Sequence, residues 1–410
     1  MLQRGGCCQQ PKRKIVQTSQ PSPACYNPPQ EKPYTTCLCR VVPTQRKAPP
    51  SICNQCKNPA PPVVVAPPPS PPQVVIVGYQ LFTSSTPGNF RSMMISLDGG
   101  NTWQQTQGAD INDDATIIGF PSCVLYANGL WIALSQFTGS PTNPNWTPIV
   151  SSTDGINWSY ITGSSLSTAV RIAYGNGRWI GTGLGLAVTT LITSTTGSNF
   201  VDITGATGLP VAGSVSYAAI HYANGRWVLG KGGQDLSGNC MYTSIDGVTW
   251  SACSGDTFNN GICWDVKYNG SLWVAVGFEN TSSYPGAYTI STSPDGINWT
   301  RNTTATFPGT GFLITSFGLR IAYGNGRWIG VGDDTTMITS TDGVTWSVAT
   351  PSGLTLTYYN DIAWTGQQWI LTGSFNLPLV FTSPDGLNWT SVTVPGLLGG
   401  QGGIAIAVKY

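Results

Sequence analysis

Four closely spaced thiols are the strongest chemical signal in this chain. Cys37-x-Cys39 is followed by Cys53-x-x-Cys56, and four thiolates can complete a tetrahedral zinc shell. The first pair is tighter than the usual zinc knuckle, so zinc is the weaker expectation and no cofactor is assigned. Disulfides are the stronger one. Seven of the eleven cysteines (Cys7, Cys8, Cys25, Cys37, Cys39, Cys53 and Cys56) crowd into residues 1–73, a stretch with no core of its own to hold it. An odd number of thiols also invites a bond between chains. Cys240 and Cys253 flank one hairpin where a disulfide across two strands is expected, and Cys123 and Cys263 read as small core residues.

Acid–base chemistry has little to draw on. The chain holds one histidine, His221, and the only glutamate beyond residue 73 is Glu279. No Ser/His/Asp, Cys/His or His-rich set can be assembled, so the chain is not expected to be an enzyme. Asp110-Ile-Asn-Asp113-Asp114 and Asp333-Asp334 offer calcium-type oxygens without the spacing of a calcium loop. Six of the remaining aspartates recur in one short phrase, and the recurrence points to a scaffold.

The phrase has seven copies. They are Ser96-Leu-Asp-Gly-Gly-Asn-Thr-Trp103, Ser152-Thr-Asp-Gly-Ile-Asn-Trp158, Ser194-Thr-Thr-Gly-Ser-Asn-Phe200, Ser244-Ile-Asp-Gly-Val-Thr-Trp250, Ser293-Pro-Asp-Gly-Ile-Asn-Trp299, Ser340-Thr-Asp-Gly-Val-Thr-Trp346 and Ser383-Pro-Asp-Gly-Leu-Asn-Trp389. Their serines lie 56, 42, 50, 49, 47 and 43 residues apart, a period that belongs to propellers. A second phrase alternates with it, as in Ile172-Ala-Tyr-Gly-Asn-Gly-Arg-Trp179 and Ile321-Ala-Tyr-Gly-Asn-Gly-Arg-Trp328. Asn-Gly between two apolar runs marks a tight hairpin. Each unit therefore reads as four antiparallel strands, A to D, with the second phrase at the A–B turn and the aspartate phrase at the C–D turn.

The ring also shows how it closes. Val74-Val-Ile-Val-Gly78 matches strand B of later units, and the final Val408-Lys409-Tyr410 repeats Val266-Lys267-Tyr268 of a strand A. The expected fold is all-β: a seven-bladed β-propeller over residues 74–410, in four-stranded antiparallel blades closed by the C-terminal strand. Residues 1–73 form an irregular Cys/Pro-rich arm. Closure removes sheet edges that would otherwise aggregate.

The aspartate phrase resembles the Asp-box, or BNR repeat, of sialidase-type propellers. Ser96 to Trp103 fits Ser-x-Asp-x-Gly-x-Thr-Trp in full, five copies are one residue shorter, and the Ser194 copy lacks both Asp and Trp. The resemblance covers about four fifths of the chain. Similar boxes occur in sialidases, sortilin-like receptors, photosystem assembly factors and uncharacterised propellers, including some of giant DNA viruses. The resemblance implies a structural role for Asp98, Asp154, Asp246, Asp295, Asp342 and Asp385. The arginine triad of sialidases has no counterpart: Arg178, Arg226 and Arg327 are locked into the A–B turn, and Arg171 and Arg320 on strand A lack a third partner. Asp265, Arg320 and Asp361 share one strand A slot in consecutive blades, so Arg320 is expected between two carboxylates.

Composition divides the chain. Residues 1–73 carry nine Lys or Arg against Glu31 alone, a balance of +8, and 17 of the 30 prolines. The remainder carries ten basic and seventeen acidic residues, a balance of −7. Such an arm suits other copies of the chain, other coat proteins or nucleic acid. No stretch is apolar and long enough to span a bilayer, and Met1-Leu-Gln-Arg-Gly-Gly-Cys-Cys8 lacks the apolar centre of a signal peptide. Disulfides without that signal suggest a virion or another extracellular assembly.

Recognition is expected on the face opposite the short turns. The long connections there, 104–121, 135–148, 278–288 and 300–318, carry Trp146, Phe278, Tyr284 and Tyr288 as candidate contacts for glycans or proteins. The reading is a non-enzymatic structural or adhesion protein, with a lectin-like or degenerate glycosidase propeller as the alternative. Sequons at Asn157, Asn298 and Asn388 fall inside the repeated phrase and read as accidental.

Overall fold

A computed structural model of the chain divides into Met1–Pro67 and Pro68–Tyr410, and all described residues belong to the second unit. They run from Pro71 to Tyr410, apart from 79–91, 112–117, 139–146, 162–165, 186–190, 204–206, 211–214, 234–237, 259, 279–287, 303–318, 333–335, 356–357, 375–379 and 396–402. Seven sheets, each built on four antiparallel strands in the order A-B-C-D, form the seven blades, and those of blades 2 and 5 add a short fifth strand in parallel at the D edge. No helix occurs among the described residues.

Blade 1 is assembled from both ends of the propeller. Gln73–Gly78 pairs with Met93–Ser96 on one side and with the C-terminal strand Gly403–Lys409 on the other. Val74 faces Val408 in this register, so the last strand is strand A of the first blade, as the matching phrases require. The other A strands are Ile118–Ala127, Leu166–Gly175, Val215–Ala223, Ile262–Tyr268, Arg320–Gly324 and Tyr358–Trp364, in blades 2 to 7.

The A–B turns follow from residue type. Asn128 and Gly129 have φ of 48° and 76°, and the Asn-Gly pairs at 176, 224 and 325 repeat the pattern. Both central residues of this hairpin need positive φ, which Asn tolerates and Gly adopts freely.

Each C–D turn is wired by its Ser and Asp. Ser152 Oγ donates to Asp154 Oδ1 at 2.9 Å and accepts from Gly155 N at 2.8 Å. Asp154 Oδ1 also accepts from Ile156 N and Asn157 N at 2.7 and 2.8 Å. The same set recurs around Asp246, Asp295, Asp342 and Asp385. Asp98, in the longer copy, takes Asn101 N and Thr102 N at 3.0 and 2.9 Å. In the degenerate copy Thr196 Oγ1 accepts a single backbone N–H, Ser198 N at 3.3 Å, beside hydroxyl contacts with Ser194 and Ser198.

The turn glycine sets the blade-to-blade spacing. The strand B tryptophans Trp131, Trp179, Trp227, Trp273, Trp328 and Trp369 are fully buried. Each lies beneath the turn glycine of its own blade, beside an aliphatic side chain of the preceding one. A Cβ on Gly155 would stand 2.7 Å from Ile95 Cδ1 and 3.0 Å from Trp131 Nε1, at φ +79°. Gly129 has a similar φ, +76°, with nothing within 4 Å.

These two glycines separate conformation from contact. Gly129→Ala should cost about 1 kcal/mol from the left-handed backbone alone. Gly155→Ala should cost about 2–4 kcal/mol, because overpacking adds to the same strain. Urea unfolding of both variants checks this, and equal losses would show that the seam has room for a methyl group.

Candidate functional site

The seven A strands surround an axial cavity of about 550 Å³. Each A strand pairs with strand B on one side only, so its other edge faces the axis. Six of the seven carry an extra residue near the entrance end: Ser122, Val170, Ala218, Trp264, Asn360 and Ile404. A bulge of this kind re-aims the side chains that follow. The next position in each blade is Cys123, Arg171, Ala219, Asp265, Asp361 and Ala405, and Arg320 holds the same level in blade 6.

The charged side chains at this level are tied to backbone groups of the open edges. Asp265 Oδ1 accepts from Val266 N at 2.9 Å, and its Oδ2 accepts from Ile321 N of the next blade at 3.1 Å. Asp361 repeats this with Ile362 N at 2.9 Å and Ile406 N of blade 1 at 2.8 Å. Cys123, expected in the core, lines the cavity and accepts from Ile172 N of the next blade. Arginine serves the opposite polarity. Arg171 donates to Ser122 O of the preceding blade and to Val170 O of its own, and Arg320 donates to Leu319 O.

Arg320 does not sit in an ion pair between Asp265 and Asp361. The pair that forms is Lys267 Nζ to Asp265 Oδ1, 2.7 Å, within one strand. The expectation placed Arg320 correctly in blade order, but each carboxylate is turned toward backbone N–H groups. Lys267 was visible in the sequence only as part of the Val-Lys-Tyr phrase, so its pairing could not be read there.

Burial dominates the titration of the cavity. It pushes Asp361 up to about 6, with the Asp265 charge adding to the rise, while the Ile406 N–H, Lys267 and Arg171 oppose it. His221 is held down at about 3 by burial, with Lys267 adding to the effect. It is therefore neutral at ordinary pH, and its ring meets Trp273 edge-on at 5.8 Å.

A collar of aromatics at the far mouth invites a binding role and has a packing explanation. Tyr126, Tyr174, Tyr222, Tyr268, Tyr323 and Trp364 each lean on the strand B tryptophan of their own blade, with centroids 4.9–5.3 Å apart. The preceding blade covers the opposite side where the contacts are described. Gly175 lies against Tyr222, Gly324 against Trp364, and Lys409 Nζ sits 5.0 Å over the Tyr126 ring. Cross-strand aromatic pairs of this type stabilise sheets.

The other candidates sort as follows. The six turn aspartates lie on the rim and are occupied by the turn bonds described above. Asn157, Asn298 and Asn388 each donate from Nδ2 to the turn aspartate at 2.7–2.8 Å, which commits these sequons to folding. Arg178, Arg226 and Arg327 donate to Thr193, Thr243 and Thr339, each at 3.2 Å.

Cys240 and Cys253 are free thiols, which overturns the expected disulfide. Cys240 Sγ points at Gly261 O, 3.0 Å away, and Cys253 Sγ at Gly296 O, 3.6 Å away. Both thiols face the blade 4–5 seam and pack in one cluster with Cys263. Phe278 ends strand B and Tyr288 begins strand C of blade 5, and the two are partners in register, so both lie at the last rung of that strand pair. Trp146, Tyr284, Glu279, Asp113, Asp114 and the seven arm cysteines lie outside the described residues. Among the described residues no cluster of three His, Cys, Asp or Glu side chains suits a metal ion, and no helix is long and apolar enough to cross a membrane.

No protein-family model and no curated protein matches the chain. Solved structures are similar to it at low identity. A chain of the nidogen/laminin complex shares 11% identity over 82% of this chain and 98% of its own, with a TM-score of 0.44. YCF48 bound to D1 peptide shares 16% over 80% and 94%, with a TM-score of 0.46. Trypanosoma rangeli sialidase in complex with the inhibitor DANA shares 12% over 64% and 54%, with a TM-score of 0.42. These likenesses assign no function, and the fold rests on the strand pairing itself.

Opposite pH dependences follow from the two kinds of carboxylate. The N–H groups of Thr249 and Val248 hold Asp246 down at about 2, and those of Thr345 and Val344 hold Asp342 there too. Their stabilisation is present above the ordinary value of about 4 and is lost as pH falls from there toward about 2. Asp361 has the reverse sign. The folded state binds its proton more tightly than the unfolded chain, so its contribution declines as pH rises from about 4 to 6. Urea melts between these limits should show that decline in the native chain and a flatter profile in Asp361→Asn. An identical slope in both would place Asp361 in solvent.

Proposed function

We propose that the protein is a non-enzymatic adhesion or packing body. Residues 74–410 form its rigid ring, and residues 1–73 anchor or cross-link copies in a virus particle or another extracellular assembly. The observation that carries this reading is the use of the axial carboxylates. Asp265 and Asp361 each accept backbone N–H groups from two blades. A carboxylate held in that way braces the ring, whereas a general acid or nucleophile must be free to reach a substrate. The Ser-Asp turns add support, because their wiring repeats the likeness to Asp-box propellers as a folding device.

The arm's composition supports its linking role. Its +8 balance and seven cysteines stand beside a −7 body. Charge guides it onto a neighbour or coat protein, and disulfides then fix it.

Native material without reductant should run as a ladder of the 43.4 kDa chain and collapse to one band on reduction. A lone monomer band with every arm thiol open to alkylation would contradict the linking role. A fluorogenic sialoside should remain intact in the presence of the purified protein, and turnover would contradict the non-enzymatic part.

A further inference from the structure

Arg320 is only 7% exposed, it lines the axial cavity, and its one hydrogen bond among the described residues runs from Nη1 to Leu319 O, 2.8 Å. A guanidinium carries five N–H donors in a planar fork. Its remaining donors are not sealed in the core but open into the cavity, with no protein acceptor among the described residues. The adjacent acids do not resolve this. Neither Asp265 nor Asp361 ion-pairs with Arg320, and Asp265 takes Lys267 instead. Their oxygens are already bonded to Val266, Ile321, Ile362 and Ile406 N–H groups.

A second fork stands opposite. Arg171 holds the same strand A position in blade 3, three blades from Arg320 in a ring of seven, so the two arginines face each other across the axis. Arg171 uses Nη1 for Ser122 O and Val170 O, and the rest of its fork has no bond among the described residues. Ala405, Ala173 and Ala322 leave the remaining walls low. The cavity thus has surplus donors, and its two carboxylates are already engaged.

We propose that the axial cavity is a binding site for a small oxyanion, a carboxylate or a phosphate, gripped between Arg320 and Arg171. Both groups present paired acceptor oxygens that match a guanidinium fork. A cavity of about 550 Å³ holds a metabolite-sized molecule bearing such a group. The ligand supplies the acceptors that the fold withholds from Arg320.

Calorimetry on the full chain tests this with inorganic phosphate and pyruvate as probes, at constant ionic strength and against chloride. One of the two should bind saturably, at one site per chain, and which one binds identifies the group. Arg171→Gln should weaken that binding at least about tenfold, the loss expected when a charge-assisted hydrogen bond is removed. Arg301→Gln, which removes a 3.5 Å ion pair with Asp256 away from the cavity, should leave it unchanged. Arg320→Gln should match Arg171→Gln, and if Arg320→Gln fails to fold, Arg171→Gln decides. Absence of binding by both probes into the millimolar range, or equal binding by the Arg171→Gln and Arg301→Gln proteins, overturns the proposal.

Discussion

The innermost strand of a propeller blade is paired on one side only, and every other feature of this molecule accommodates that fact. Its second edge points at the axis, where backbone N–H and C=O groups need partners as much as in any sheet. Seven such edges meet around one cavity. Two aspartates answer for four of them, because each carboxylate spans the gap to the next blade. Arg171 caps a carbonyl at the bulge of its own strand, and Arg320 caps the carbonyl of Leu319 just before its strand begins. The charge in the channel is therefore first a means of joining blades, and the surplus left on the arginines is what makes the cavity chemically selective.

Away from the axis, packing takes over. A buried tryptophan under a turn glycine, with an aliphatic side chain from the preceding blade beside it, recurs around the ring. The turn aspartate keeps that glycine in place through short local bonds. Two further devices tie neighbours at the rim. Gln107–Gly108 pairs in parallel with strand D of blade 2, and Ser254–Gly255 does the same on blade 5. Ring closure adds its own fastening, since Tyr410 donates to Trp364 O at 2.6 Å beside the Asp361–Ile406 bond.

Most of this scaffold was legible in the sequence because its causes are local. The Asn-Gly turns, the Ser-Asp wiring and the identity of the closing strand involve residues close together, or phrases that repeat. The axial site was less legible because its partners are far apart in the chain. Ile321 meets Asp265 across 56 residues, and Ile406 meets Asp361 across 45. Strand order placed Asp265, Arg320 and Asp361 at one level, but only the bulge and the open edge show that backbone N–H groups outcompete the guanidinium. The Cys240–Cys253 pairing failed for a related reason. Flanking a hairpin fixes proximity along the sheet, whereas the thiols turn toward carbonyls of the neighbouring blade.

Native-state hydrogen exchange tests the central claim most directly. If carboxylates close the open edges, the amides of Val266, Ile321, Ile362 and Ile406 should exchange slowly. The Ile220 amide, at the same level of blade 4 but with no carboxylate, should exchange faster. Asp265→Ala should release Val266 and Ile321 while leaving Ile362 and Ile406 protected. Uniform protection at all five positions, unchanged by that substitution, would mean that the ring is held without its axial charges and would contradict the account.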